Sequence, residues 1–129
     1  MNYIFSAIFL YFFLGFLLYI FQRRIVFNKS GHPGAPKDYN LDNTEEVYIK
    51  TEDNLKLLSW YHKGNNSLPL IVYFHGNSFH IGDRAYRIQR YIEKNWSVLL
   101  VSWRGFGGNE GSPTAVSYTH LRAHETLIY

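Results

Sequence analysis

No cysteine occurs among the 129 residues. Disulfides, thiolate-bound zinc and a cysteine nucleophile are therefore excluded, although this alone does not fix the cellular compartment. Charge is sparse as well. Asp, Glu, Lys and Arg make up 18% of the chain and the formal net charge is +3, too little to draw the protein onto nucleic acid. No internal repeat is visible, and the length allows one small domain at most. Charge is missing altogether from Tyr3 to Phe21, YIFSAIFLYFFLGFLLYIF.

Aromatic residues, by contrast, reach 19%, and many of them lie in that uncharged run. At about 1.5 Å per residue the run spans roughly 28 Å as a helix, close to the ~30 Å hydrocarbon layer of a bilayer. Gln22, Arg23 and Arg24 follow at once. The reading is a single membrane-spanning anchor, residues 1–24 with the basic flank, whose partner is the lipid bilayer through Tyr3 to Phe21. A cleaved signal peptide is the alternative. It would want a cationic start and small residues at the cleavage point, and Phe-Gln-Arg-Arg supplies neither. A buried core helix is the other alternative, but every face of this helix is apolar. Arg23, Arg24 and Lys29 all lie on the C-terminal side, so the excess of cations places the main domain in the cytoplasm.

Residues 25–42 read as a linker, with Gly and Pro concentrated in Gly31 to Tyr39. Glu46 to Thr51 alternates with Val47 and Ile49 on one face, and Leu55 to His62 answers it across the turn Glu52-Asp53-Asn54, which predicts a hairpin. Leu70 to Phe74 (LIVYF) and Ser97 to Trp103 (SVLLVSW) are continuous apolar runs, as expected of strands buried on both faces. Between them Ile81, Ala85, Ile88 and Ile92 recur at helical spacing. Asp83 stands where it could cap a helix over Arg84 to Asn95. Hairpin, strand, helix, strand predicts a βαβ crossover with a parallel core.

Two segments carry possible chemistry. The first strand of that unit runs into His75-Gly76-Asn77-Ser78, and the second into Arg104-Gly105-Phe106-Gly107, then Gly-Asn-Glu-Gly-Ser-Pro. Gly76 allows a sharp backbone turn. Gly76-Asn77-Ser78-Phe79-His80 holds the first half of a G-x-S-x-G nucleophile elbow, but His80 replaces the final glycine. Gly105, Gly107 and Gly111 after a strand suggest a dinucleotide loop, yet Pro113 follows where that fingerprint wants a helix, and no cofactor is expected. His75 and His80 lack a third His or a carboxylate at useful spacing, so no metal is expected either. Glu110 reads as a solvated charge.

LIVYFHGNS and SWRGFG, in this order and spacing behind a hairpin, resemble the oxyanion turn and the following strand and loop of the α/β-hydrolase superfamily. The resemblance covers about Asn43 to Thr114, and with the N-terminal anchor it is similar to the membrane-tethered serine-hydrolase branch. It implies an α/β fold: a transmembrane helix followed by the first strands of an incomplete α/β-hydrolase sheet. It also implies hydrolysis of an acyl ester, thioester or lysolipid, a small acyl substrate for the full-length protein. The first oxyanion-hole donor would be the backbone N–H of Asn77, with Ser78 as runner-up. His75 and Gly76 would shape the turn, and Arg104, Gly105 and Gly107 the second loop. The superfamily's nucleophile, acid and base come later in the chain, which argues against Ser78 as nucleophile and His75 as base. The alternative function is a non-catalytic membrane-tethered binding or scaffold domain, with HGN as no more than a tight turn.

Val116 to Thr126, VSYTHLRAHET, has neither strand nor helical period. In one reading frame it resembles the translation of a transposon adapter used in short-read sequencing libraries. Residues 115–129 are accordingly expected to be a library artefact, which removes His120 and His124 as candidates. On that reading the chain carries no triad and is expected to be inactive. It is also expected to fold poorly, because its parallel strands lack their neighbours.

Overall fold

The structure is a computed structural model that describes residues 2–114. The segment assigned above to an adapter, with His120 and His124, lies outside the described residues.

Helix α1 runs from Asn2 to Val26, through the basic flank, with Arg23 and Arg24 in its last turn. Its stretch from Tyr3 to Val26 is long and apolar enough to cross a membrane, with a mean hydropathy of 2.4 and none of it buried within the protein.

The hairpin forms as expected: β1 (Thr44–Lys50) pairs antiparallel with β2 (Lys56–His62). Asn54 takes the left-handed conformation that closes the turn, and the Thr51 hydroxyl accepts the backbone N–H of Leu55. Strand β3 (Leu70–Phe74) leads through the crossover helix α2 (Ala85–Ile92) to β4 (Ser97–Val101), which lies parallel to β3 and antiparallel to β2. The sheet order is β1-β2-β4-β3.

One correction concerns β3. It was expected to be buried on both faces, but Leu70 and Val72 are 50% and 47% exposed. The apolar run gave the strand correctly. Its burial depends on a neighbour, and among the described residues β3 is the sheet edge. β4, between two strands, is buried almost throughout. The helix also differs from expectation. It begins at Ala85 behind a 3₁₀ turn, Ile81–Arg84, and Asp83 does not cap it: its carboxylate accepts the His80 backbone N–H at 3.2 Å. The helix stops at Ile92 because the following N–H groups bond three residues back, Lys94 to Tyr91 and Asn95 to Ile92. Asn95 then turns left-handed.

The core lies between the sheet and α2. Leu58 and Trp60 of β2 and Val98 and Leu100 of β4 meet Ile81, Ala85 and Ile88. Trp60 is paired directly with Leu100 across the strands. Each such fully buried side chain contributes about 1.5–3 kcal/mol. The stretch read as a linker does more than connect. Its 36–39 segment forms a 3₁₀ turn, Leu41 joins the core, and the Tyr39 ring lies 5.5 Å from that of Trp60. Gly82 is required there, since a Cβ would fall 2.4 Å from the Tyr39 ring.

Candidate functional site

The turn 75–80 leaves the C-terminal end of β3, where open α/β sheets bind their ligands. His75 is its buried root, 1% exposed. Its carbonyl accepts the Trp103 indole N–H at 2.7 Å, and its Nε2 faces the Trp103 backbone N–H at 3.4 Å, a long contact. The Phe106 ring stands edge-on to the imidazole at 5.3 Å. Burial pushes the His75 pKa down from 6.5 to about 4, partly offset by a backbone hydrogen bond with Gly76. His75 is thus neutral at pH 7 and ties the end of β3 to the loop after β4.

The turn itself departs from one expectation. Gly76 is not in the left-handed region, and a Cβ there would meet nothing within 4 Å. The left-handed residue is Phe79, at φ +65°. An aromatic residue in that conformation is a true backbone outlier, held only where its surroundings over-determine it. No residue pattern points to this, because Phe is a poor match for a left-handed position.

Asn77 is exposed and Ser78 half-buried. Among the described residues, the backbone N–H groups of Asn77 and Ser78 meet no hydrogen-bond acceptor. The Asn77 side chain is engaged, its amide donating to the carbonyl of Val26 at 3.0 Å. His80 Nδ1 lies 3.0 Å from an Asp83 carboxylate oxygen, so a carboxylate does stand beside it. Among the described residues, no three His, Asp or Glu side chains converge on a point that could hold a metal.

The second loop, 102–113, braces the first. Gly105 adopts φ +74° and a Cβ would lie 2.7 Å from Pro113 and 2.8 Å from the Gly111 carbonyl, so glycine is obligatory. Gly107 is also left-handed. Arg104 grips both carboxylate oxygens of Asp53 in the hairpin turn, at 2.8 and 3.2 Å. Asp53 is held below the usual carboxylate range by the Thr51 hydroxyl first and by Arg104 second. Asn109 locks the loop to β2: its side-chain oxygen accepts the Leu58 N–H at 2.8 Å and its amide donates to the Trp103 carbonyl. Among the described residues no helix starts on this loop. Sequence reasoning missed the roles of Trp103, Asn109 and Asp53. Each acts across a sequence separation that only folding closes.

A parallel βαβ unit behind a hairpin, with a turn at the end of its first strand, is a partial α/β-hydrolase fold. That fold has solved counterparts: an esterase from Pyrococcus furiosus superposes with a TM-score of 0.54 at 24% identity, covering 77% of this chain and 41% of its own. Among curated proteins, an uncharacterized protein of Mycobacterium tuberculosis is 32% identical over 107 residues, 78% of this chain and 37% of that protein. The protein Bem46 of Schizosaccharomyces pombe is 32% identical over 112 residues, covering 78% and 36%. A lysophosphatidylserine lipase of Danio rerio is 27% identical over 103 residues, covering 61% and 26%. The chain thus spans well under half the length of the relatives it matches. No family model matches it.

Proposed function

We propose that this chain is the N-terminal part of a membrane-anchored serine hydrolase that cleaves an ester, thioester or lipid acyl bond through an acyl-enzyme. The observation that carries this reading is the 75–80 turn at the end of β3, where the backbone N–H groups of Asn77 and Ser78 meet no acceptor among the described residues. When a nucleophile attacks an acyl carbonyl, the oxygen becomes an oxyanion, and preorganised N–H donors stabilise it. Losing one such donor costs about 10²–10³ in rate. Asn77 is the first donor in this scheme, and the second comes from the residue after the nucleophile. Two proteins that the chain resembles are named as hydrolases, a lysophosphatidylserine lipase and an esterase, which supports the hydrolase reading.

The nucleophile, acid and base then belong to residues beyond Thr114, and the 129-residue chain alone is inactive. In the same reading α1 is a single-pass anchor with the domain in the cytoplasm, on the side of Arg23, Arg24 and Lys29.

The test is activity-based labelling of the complete gene product with a fluorophosphonate probe. Labelling that disappears when the elbow serine is replaced supports the hydrolase. An open reading frame without a G-x-S-x-G elbow, or an intact protein that takes no label, refutes it in favour of a non-catalytic tethered domain.

A further inference from the structure

The exit of the anchor helix does not run clear of the domain. The Asn77 side-chain amide donates to the carbonyl of Val26, the last residue of α1, at 3.0 Å. The backbone N–H of Phe79 donates to the carbonyl of Asn28 at 2.8 Å. Asn28 and Ser78 form a parallel β-bridge, and the Phe27 ring stands edge-on to that of Phe106 at 6.3 Å. Residues 26–28 are thus a short strut laid along the turn, and they bind it on both sides of Ser78.

Two physical points give this arrangement weight. A helix end leaves its last carbonyls without intrahelical partners, and here a residue of the candidate site satisfies the final one. Phe79 is the strained left-handed residue, and its own N–H is held by the strut. Such a conformation persists only where neighbouring contacts enforce it.

Depth along the bilayer normal follows from the same geometry. The uncharged run ends at Phe21, and five more helical residues raise Val26 about 7 Å above that level. The headgroup layer of one leaflet is roughly 5–7 Å thick. An upright helix therefore places Val26, and the turn bonded to it, at the lipid headgroups. The open cleft beside them, about 530 Å³, is lined by Arg23, Arg24, Lys29, Phe27, Asn28 and the loop at Ser112 and Pro113. Among the described residues its lining holds three cationic side chains and no carboxylate, which suits the polar face of a leaflet.

We infer that the anchor exit, residues 26–28, is a positioning element of the oxyanion turn, which it holds at the lipid surface through the side chain of Asn77 and the N–H of Phe79. The Asn77 side chain is then a positioning group distinct from its backbone N–H. This rests on the hydrolase and membrane readings above for its consequence in catalysis, but the strut itself can be measured without turnover.

The experiment uses the complete gene product in lipid nanodiscs. Asn77→Asp keeps size and backbone N–H but removes the donor, and Asn77→Gln keeps an amide donor. Amide hydrogen exchange at Phe79 is followed along with hydrolysis of an acyl ester, with the amides of Val98 and Leu100 in β4 as the control for overall folding. The expected result for Asn77→Asp is at least tenfold faster exchange at Phe79 with β4 unchanged. The turnover number should fall about tenfold while KM stays within twofold, and Asn77→Gln should recover most of both. Replacing Tyr3 to Phe21 by a polyleucine run of equal length should leave rate and exchange as they were, since the strut lies beyond it. Unchanged exchange at Phe79 in Asn77→Asp overturns the inference whatever the rates do. If Asn77→Asp loosens β4 as well, failure of Asn77→Gln to restore protection at Phe79 overturns it, and restoration supports it. A wild-type protein that hydrolyses nothing defeats the hydrolase reading, and the exchange result still decides the strut.

Discussion

Acid offers a direct test of the role given to His75. Its folded pKa is near 4, against 6.5 for an unburied imidazole, because burial disfavours the charged ring. The folded protein therefore binds this proton less readily than the unfolded chain does. Stability from this group is complete above pH 6.5, drains as pH falls from 6.5 towards 4, and changes no further below that. With 1.36 kcal/mol for each unit of pKa difference, lowering the pH from 7 to 4.5 costs about 2.4 kcal/mol through this one residue. That is a large share of the 5–15 kcal/mol typical of a domain. The charges facing the ring are Arg84 and His80, which depress its pKa, and Asp83, which raises it; all three are weaker than burial. The assay is urea unfolding of the detergent-solubilised protein at several pH values, for wild type and His75→Gln. Gln offers an acceptor where Nε2 stands but does not titrate. It should be less stable than wild type at pH 7, by about 1–3 kcal/mol for lost packing. Its stability should then depend on pH more weakly than wild type's by about the amount just given. Parallel pH profiles for the two proteins, or an NMR titration placing the His75 ring near 6.5, would refute the reasoning.

Further predictions concern backbone conformation and packing. Gly105→Ala should lower stability by more than about 1 kcal/mol, because the residue is left-handed and its Cβ would strike Pro113 and the Gly111 carbonyl. Gly76→Ala should leave the urea midpoint almost unchanged, since its Cβ meets nothing within 4 Å. Phe79→Ile should destabilise by about 1–2 kcal/mol through its β-branch at positive φ, and Phe79→Asn should be tolerated. Leu100→Ala, which opens a cavity at a fully buried site between Trp60 and α2, should cost about 2–5 kcal/mol in the same assay. Asp53→Asn should weaken the hairpin-to-loop clamp measurably less than Gly105→Ala, and the difference from wild type should shrink in 1 M salt, because Asp53 is half exposed.

Much of the fold was readable from local pattern. The hairpin, both apolar strands and the face Ile81, Ala85, Ile88 and Ile92 follow from periods of 2 and 3.6, which depend only on which residues must face the core. The long apolar helix α1 follows from length and lack of charge alone. The two loops that matter were located correctly because both sit at strand ends marked by glycine. Their internal conformation was another matter. In the first of them the left-handed residue is Phe79 and not Gly76, and no propensity rule points to Phe at such a position.

The set of elements and their order can thus be read along the chain, because they depend on neighbouring residues. The tertiary structure decided which strand is an edge, so that LIVYF is half exposed while SVLLV is buried. It also decided that His75 is pinned by Trp103, that Arg104 reaches Asp53 and that Asn77 holds the end of helix α1. Each of these contacts joins residues 28 or 51 positions apart. Such a pairing is set by the path of the whole chain, and no local pattern of residues encodes it.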